Sequence, residues 1–273
     1  MAFKIGGFAA DHHEKKQQQE QPQPVQKQAV APKKSVVKVY FISSGKTLSY
    51  YNDKFDLHKG DMVYVEGAME GQRGRIVEVS YNFKIKLSDY KRVIAQVDTN
   101  VSGQFNMAGS HFVTFDPLAL PVSKARTWYM PPVKEDDVIV SGSDDSSFRL
   151  EDLSGMQITH AIAERGHDYY IENLVRYICI DGTRGYAIVE GTKSYEVEFT
   201  YHDGQISELI CDCPCTYNCK HEFAAMLQLK ETLDLITKHY AEEYEERNYF
   251  AAVNKATLFT FVIDSKETGG IVL

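Results

Sequence analysis

Residues 211–221 read CDCPCTYNCKH and place four of the chain's five cysteines, with one histidine, in eleven positions. Thiolate sulfur and imidazole nitrogen are borderline-soft donors, and four of them around one ion make a closed tetrahedral zinc site. Four donors can be chosen from these five in more than one way. A thiol–disulfide pair is a poorer reading, because the spacings are C-x-C, C-x-C and C-x-x-x-C, with no C-x-x-C and no preceding βαβ pattern. Neither a secretory h-region nor an apolar run of about eighteen residues occurs, so the expectation is a cytoplasmic protein whose thiols stay reduced.

Such a cluster needs elements that converge on it. Alternate residues of a regular strand point to opposite faces, so Cys211 and Cys213 can share an ion only if the backbone bends there, and Pro214 favours such a break. Cys219 opens the run HEFAAMLQL, and a helix N-terminus stabilises a thiolate. Upstream, YYIENLVRYICIDG, RGYAIVEG, KSYEVEFTYHDG and QISELICDC alternate like strands, with Asp181-Gly182, Glu190-Gly191 and Asp203-Gly204 as turns. This predicts an antiparallel meander whose last strand runs into the cysteines. A helix is predicted in MQITHAIAERG, stopped at Gly166, and another over 221–247 with Phe223, Met226, Leu227, Leu233, Ile236 and Tyr240 on one face. FAAVNKATLFTFVID and GGIVL return to a strand pattern.

Before this region, VVKVYFI, KTLSYY, DMVYVEG, GRIVEVS, FKIKL and RVIAQVD are six short β-rich runs over 35–98, the pattern of a small barrel. Residues 11–34 are rich in Gln, Pro and Lys and predict a disordered tail over 1–34. Residues 99–149 hold four of eight prolines and read as a long connector with some local structure, in which Trp128 and Tyr129 between prolines are expected to pin a loop to a core. The fold class expected is therefore α+β, mostly β. A small N-terminal barrel precedes a zinc-bearing antiparallel meander with a C-terminal helix, the second domain spanning 150–273.

The pattern C-x-C-P, five residues, C-K-H, entering HEFAAML, resembles the SWIM zinc finger. AERGHDYY and VEGTKSYEVEF are similar to the region preceding that motif in bacterial SWIM proteins, so the resemblance covers about Ile158–Leu229. It implies one structural Zn²⁺ held by Cys211, Cys213, Cys219 and His221, with no place required for Cys215. It also implies contact with DNA or protein, since SWIM domains are associated with chromatin remodellers, transposase-like proteins and recombination factors. In the N-terminal part, SGKTLSYY, HKGDMVYVEG and QRGRIVEVS resemble SH3-like barrels such as the N-terminal domain of primosomal replication helicases.

The net charge of -8 is unevenly spread: residues 33–92 carry twelve basic and seven acidic side chains, residues 93–273 fourteen and twenty-eight. A polyanion would therefore meet the N-terminal part. There Lys54, Arg73, Arg75, Lys84 and Lys86 are the candidate phosphate contacts, among Tyr40, Tyr50, Tyr51, Tyr81 and Phe83 as candidate stacking groups. Alternatively these aromatics fill a core and the lysines form a solvated face. The expected partner is nucleic acid, DNA ahead of RNA, or else a protein. Phosphate-loop, dinucleotide and nucleophile-elbow motifs are missing from the sequence, which predicts a non-enzyme.

Overall fold

The computed structural model describes residues 33–133, 140–142 and 146–263. Residues 1–32, the pairs Asp136-Asp137 and Asp144-Asp145, and the run GGIVL lie outside the described residues. Five strands come first: β1 Ser35–Phe41, β2 Lys46–Asn52, β3 Met62–Val65, β4 Gly74–Ser80 and β5 Val93–Gln96. They form an antiparallel sheet in the order β2-β1-β4-β3-β5. Their inward positions, among them Val37, Val39, Phe41, Val63, Val65 and Ile76, make one apolar core. Gly74 is required by that packing, because a Cβ there would sit 2.2 Å from Val39 Cγ1.

The expected barrel is not closed among the described residues. The edge strand β2 meets the chain just before β5 at an isolated bridge, Tyr51 with Arg92, where the Tyr51 N–H donates to the Lys91 carbonyl at 2.9 Å. The sixth run is also corrected: FKIKL is not a strand. Its alternation survives, with Phe83 and Ile85 half-buried and Lys84 and Lys86 exposed, but no neighbouring strand offers it a ladder. A 3₁₀ turn at Leu87–Asp89 follows.

Residues 99–149, read as a connector, contain regular structure: β6 Asn106–Ala108, β7 His111–Thr114, α1 Val122–Tyr129 and β8 Ser147–Arg149. Proline and glycine density marked the breaks between these short elements and hid the elements themselves. The Trp128 expectation holds in outcome, since its indole is fully buried and donates to the Asp98 carbonyl at 2.8 Å.

The chain continues through α2 His160–Ile171, β9 Val175–Asp181, β10 Arg184–Glu190, β11 Ser194–His202, β12 Gln205–Cys211, α3 Lys220–His239, α4 Ala241–Arg247, β13 Tyr249–Asn254 and α5 Lys255–Leu258. A π-helical turn, Phe259–Ile263, replaces the strand expected at FTFVI. The four strands of the expected meander are β9 to β12. They join an eight-stranded sheet ordered β6-β7-β13-β9-β10-β11-β12-β8, in which β13 lies between β7 and β9. Gly166 does not stop α2. It is buried where α2 crosses α3, and a Cβ there would lie 2.9 Å from the Lys220 carbonyl oxygen and from Phe223 Cβ.

Both faces of the large sheet are covered. Ile178, Ile180, Ala187, Val189, Val197 and Ala252 pack under α3 with Ala224, Ala225, Leu229 and Ile236. Tyr177, Cys179, Ile188, Ala251 and Val253 face the other way, against Trp128, Phe261 and the Met62 and Tyr64 side chains of β3. This two-sided burial explains why β9 and β13 read as nearly continuous apolar runs. Among the described residues no helix is long and apolar enough to cross a membrane.

Candidate metal centre

The β11–β12 hairpin turns at Asp203 and Gly204, both at positive φ, and delivers Cys211 at the last position of β12, opposite Val197. The backbone then bends, as sharing an ion requires. Asp212 is tied back to β11: its N–H donates to the Glu196 carbonyl at 3.1 Å and its carboxylate accepts from the Glu196 N–H at 2.9 Å. Glu196 is itself gripped by Arg126 of α1, through Nε at 2.7 Å and Nη2 at 3.1 Å. With the strand ended, Cys213 turns inward and is buried, whereas Cys215 is exposed.

The other half of the site is the start of α3. Cys219 is the N-cap, its Sγ accepting from the Glu222 N–H, and the Glu222 carboxylate accepts from the Cys219 N–H at 2.6 Å. This reciprocal arrangement is a capping box with a thiol in place of the usual hydroxyl. His221 follows within the first turn and is buried.

The donor atoms of Cys211, Cys213, Cys219 and His221 all lie within 4.8 Å of one another. His221 Nδ1 is 3.6 Å from Cys219 Sγ and 3.8 Å from Cys211 Sγ. A zinc ion with bonds of about 2.3 Å to sulfur and about 2.05 Å to nitrogen sets tetrahedral edges of about 3.6 Å from sulfur to nitrogen and about 3.8 Å between sulfurs. The His221 edges to Cys219 and Cys211 match the sulfur–nitrogen value to within about 0.2 Å, and no separation exceeds the ideal sulfur–sulfur edge by more than about 1 Å. These four residues fit a zinc ion, and Cys215 stands outside the cluster.

Electrostatics favour a cation. The Cys211 thiol, donating to the Cys219 sulfur, is itself held well above the usual thiol range by that bond and by burial. Cys219 is lowered to about 4, chiefly by the same Cys211 bond and then by His221 and the Glu222 N–H, against its own burial. Burial pushes Cys213 up to about 12. Burial and mutual contact thus oppose ionising all three thiols together, and a soft cation placed among them would displace their protons.

Side chains around the imidazole were not foreseen from the sequence. Tyr195 of β11 stacks on His221 with ring centres 4.1 Å apart and planes at 20°, and Tyr169 of α2 meets it edge-on at 5.4 Å. Lys220 Nζ donates to the Tyr169 hydroxyl at 2.7 Å. The only advance signal was Glu222, three residues after Cys219, as a capping box places it.

The basic candidates do not form one surface. Lys54, Lys84 and Lys86 are exposed. Arg73 is drawn into the seam between the sheets: it donates to the Trp128 carbonyl and lies 4.6 Å from the Phe261 ring centre and 5.5 Å from that of Tyr129. Arg75 is half-buried, its Nε enclosed without a hydrogen-bond partner. Of the candidate stacking groups, Tyr50 and Tyr51 are buried, Tyr40 and Phe83 half-buried, and Tyr81 exposed. Comparison of the chain with family models, with curated proteins and with solved structures found no match in any of the three.

Proposed function

We propose that this chain is a non-catalytic interaction protein of a reducing, intracellular compartment, built around one structural zinc site of the SWIM type. The observation that carries this reading is the Cys211, Cys213, Cys219 and His221 cluster, with its donor atoms within 4.8 Å of one another. Four protein donors complete a tetrahedral shell, so zinc here would tie the end of β12 to the start of α3 and leave no position for an activated water.

For the partner, the proposal is nucleic acid, DNA ahead of RNA, met by the five-stranded sheet through Lys54, Lys84 and Lys86 beside Tyr81. A protein partner is the second reading. It is favoured by the half-buried Arg73, whose guanidinium is engaged by the Trp128 carbonyl, and by exposed Glu242, Glu243, Glu245 and Glu246 on α4, which would repel phosphate.

One set of full-length variants tests both levels. Cys219→Ser and His221→Ala are expected to lose stoichiometric zinc, and Cys215→Ser to retain it; full retention in His221→Ala would overturn the ligand set. Fluorescence anisotropy of the zinc-loaded chain with labelled DNA and RNA is expected to show binding that weakens with salt. Neutralising the three lysines should then lower the log–log salt slope by about 2 to 3. No binding at low salt would exclude nucleic acid and leave the protein reading.

A further inference from the structure

A metal-bound histidine ordinarily has its second ring nitrogen tied by a carboxylate, a carbonyl or water, which fixes both the tautomer and the ring's rotation. His221 departs from this. Its Nδ1 faces the sulfurs of Cys219 and Cys211 at 3.6 and 3.8 Å, while its Nε2 is buried with no hydrogen-bond partner. What surrounds the ring is aromatic: Tyr195 covers one face at 4.1 Å, and Tyr169 stands edge-on at 5.4 Å. Tyr195 is in turn fixed by a 3.0 Å hydrogen bond between its hydroxyl and Thr192 Oγ1, and by Lys193 Nζ, 5.1 Å from its ring centre.

We infer that Tyr195 is a positioning residue for the metal centre: by stacking, it holds the His221 ring so that Nδ1 is the ligating nitrogen and Nε2 keeps the proton, the role a hydrogen bond plays elsewhere. The inference rests on the zinc-site reading above. The chain's own spacing agrees with it. Cys219 and His221 are two residues apart at the start of α3, and Nδ1 is the ring nitrogen that lies within hydrogen-bonding distance of the Cys219 and Cys211 sulfurs.

The test uses the full-length chain loaded with cadmium-113 and labelled with nitrogen-15 at histidine, since scalar coupling picks out the metal-bound ring among nine histidines. Coupling to Nδ1 with a protonated Nε2 is expected; coupling to Nε2 would overturn the inference and leave the ligand set intact. Failure of the wild-type chain to take up any metal would overturn the zinc-site reading itself. For Tyr195, Tyr195→Phe is expected to keep zinc affinity, and Tyr195→Leu, which keeps apolar bulk but removes the flat face, to lower it by about 10- to 100-fold. Unchanged affinity together with unchanged Nδ1 coupling in Tyr195→Leu would remove Tyr195 from this role. The wild-type coupling pattern decides the nitrogen whether or not the leucine variant folds.

Discussion

The two ends of α3 are held by different means. At its N-terminus three cysteines and a histidine gather beside the end of β12, with Cys213 and Cys219 packed against Tyr195 and Cys211 at the margin of the main core. At its C-terminus, about 30 Å away for a helix of this length, the fixings are neutral. Ile236 is fully buried among sheet residues. The Tyr240 hydroxyl donates to the Met107 carbonyl at 3.0 Å, and Gly109, at φ +57, lets the β6–β7 turn approach Glu231 and Leu235. Beneath that end His111 is completely enclosed, its Nε2–H donating to the Val175 carbonyl at 2.8 Å. One end is therefore designed around charge that needs a cation, the other around groups that must stay uncharged.

Removing the metal should separate the ends most sharply. A strong chelator, or Cys219→Ser, is expected to raise amide hydrogen exchange by orders of magnitude over residues 211–225 while β13 and the β6–β7 hairpin stay protected. Equal loss of protection at both ends would erase the distinction. Ile236→Ala is the converse perturbation: it should cost about 2–5 kcal/mol in denaturant unfolding and leave zinc stoichiometry unchanged.

Acid is expected to act on both ends. At the cysteine end it would compete with a bound metal for the thiolates. At the other end burial pushes His111 down to about 4, with Arg176 and Lys255 adding to the effect and the Val175 bond opposing it. A histidine whose folded value is depressed contributes stability that is complete above its ordinary value of about 6.5 and is lost as pH falls through that value towards 4. The loss amounts to about 3 kcal/mol at most, and His111→Gln should flatten it in pH-dependent melts of the chelated chain. The smallest effect is expected of Tyr240→Phe, about 1 kcal/mol from one lost hydrogen bond, with zinc affinity unmoved.

The same contrast explains what could be read in advance. The cluster was legible because its spacing is local, with C-x-C at a strand end and C-x-H at a helix start inside eleven positions, while the choice of four donors among the five came from the resemblance. Strands β9 to β12 were legible for the same reason, each joined to the next by a turn containing Gly182, Gly191 or Gly204. Nothing local says that β13 inserts between β7 and β9, or that β6 and β7 belong to this sheet, since β13 pairs with β7 across 137 to 143 positions (Ala251 with Thr114 to Asn254 with His111) and with β9 across 68 to 76 (Tyr249 with Asp181 to Val253 with Tyr177). Gly166 misled because a glycine that ends a helix and one that lets two helices touch are identical in sequence. Arg73 misled because a charge counted with its neighbours in the chain was claimed instead by Trp128 and Phe261. Tyr195 and Tyr169 were invisible as partners of His221, being drawn to it from a strand and a second helix.

The place of β13 also sets an order of assembly. During synthesis residues 175–221 emerge together, and the loops they close are short, so the hairpins and the cysteine cluster can form from neighbouring chain at small entropic cost. Until residue 254 has emerged, the large sheet exists as two separate pieces, the β6–β7 hairpin and the β9–β12 meander, each with an unpaired edge where β13 will lie. The strand that joins them follows both pieces in the chain, so a growing chain is expected to pass through a stage in which two unpaired strand edges wait for it. A chain cut short before Tyr249 would keep its metal donors and remain in that stage.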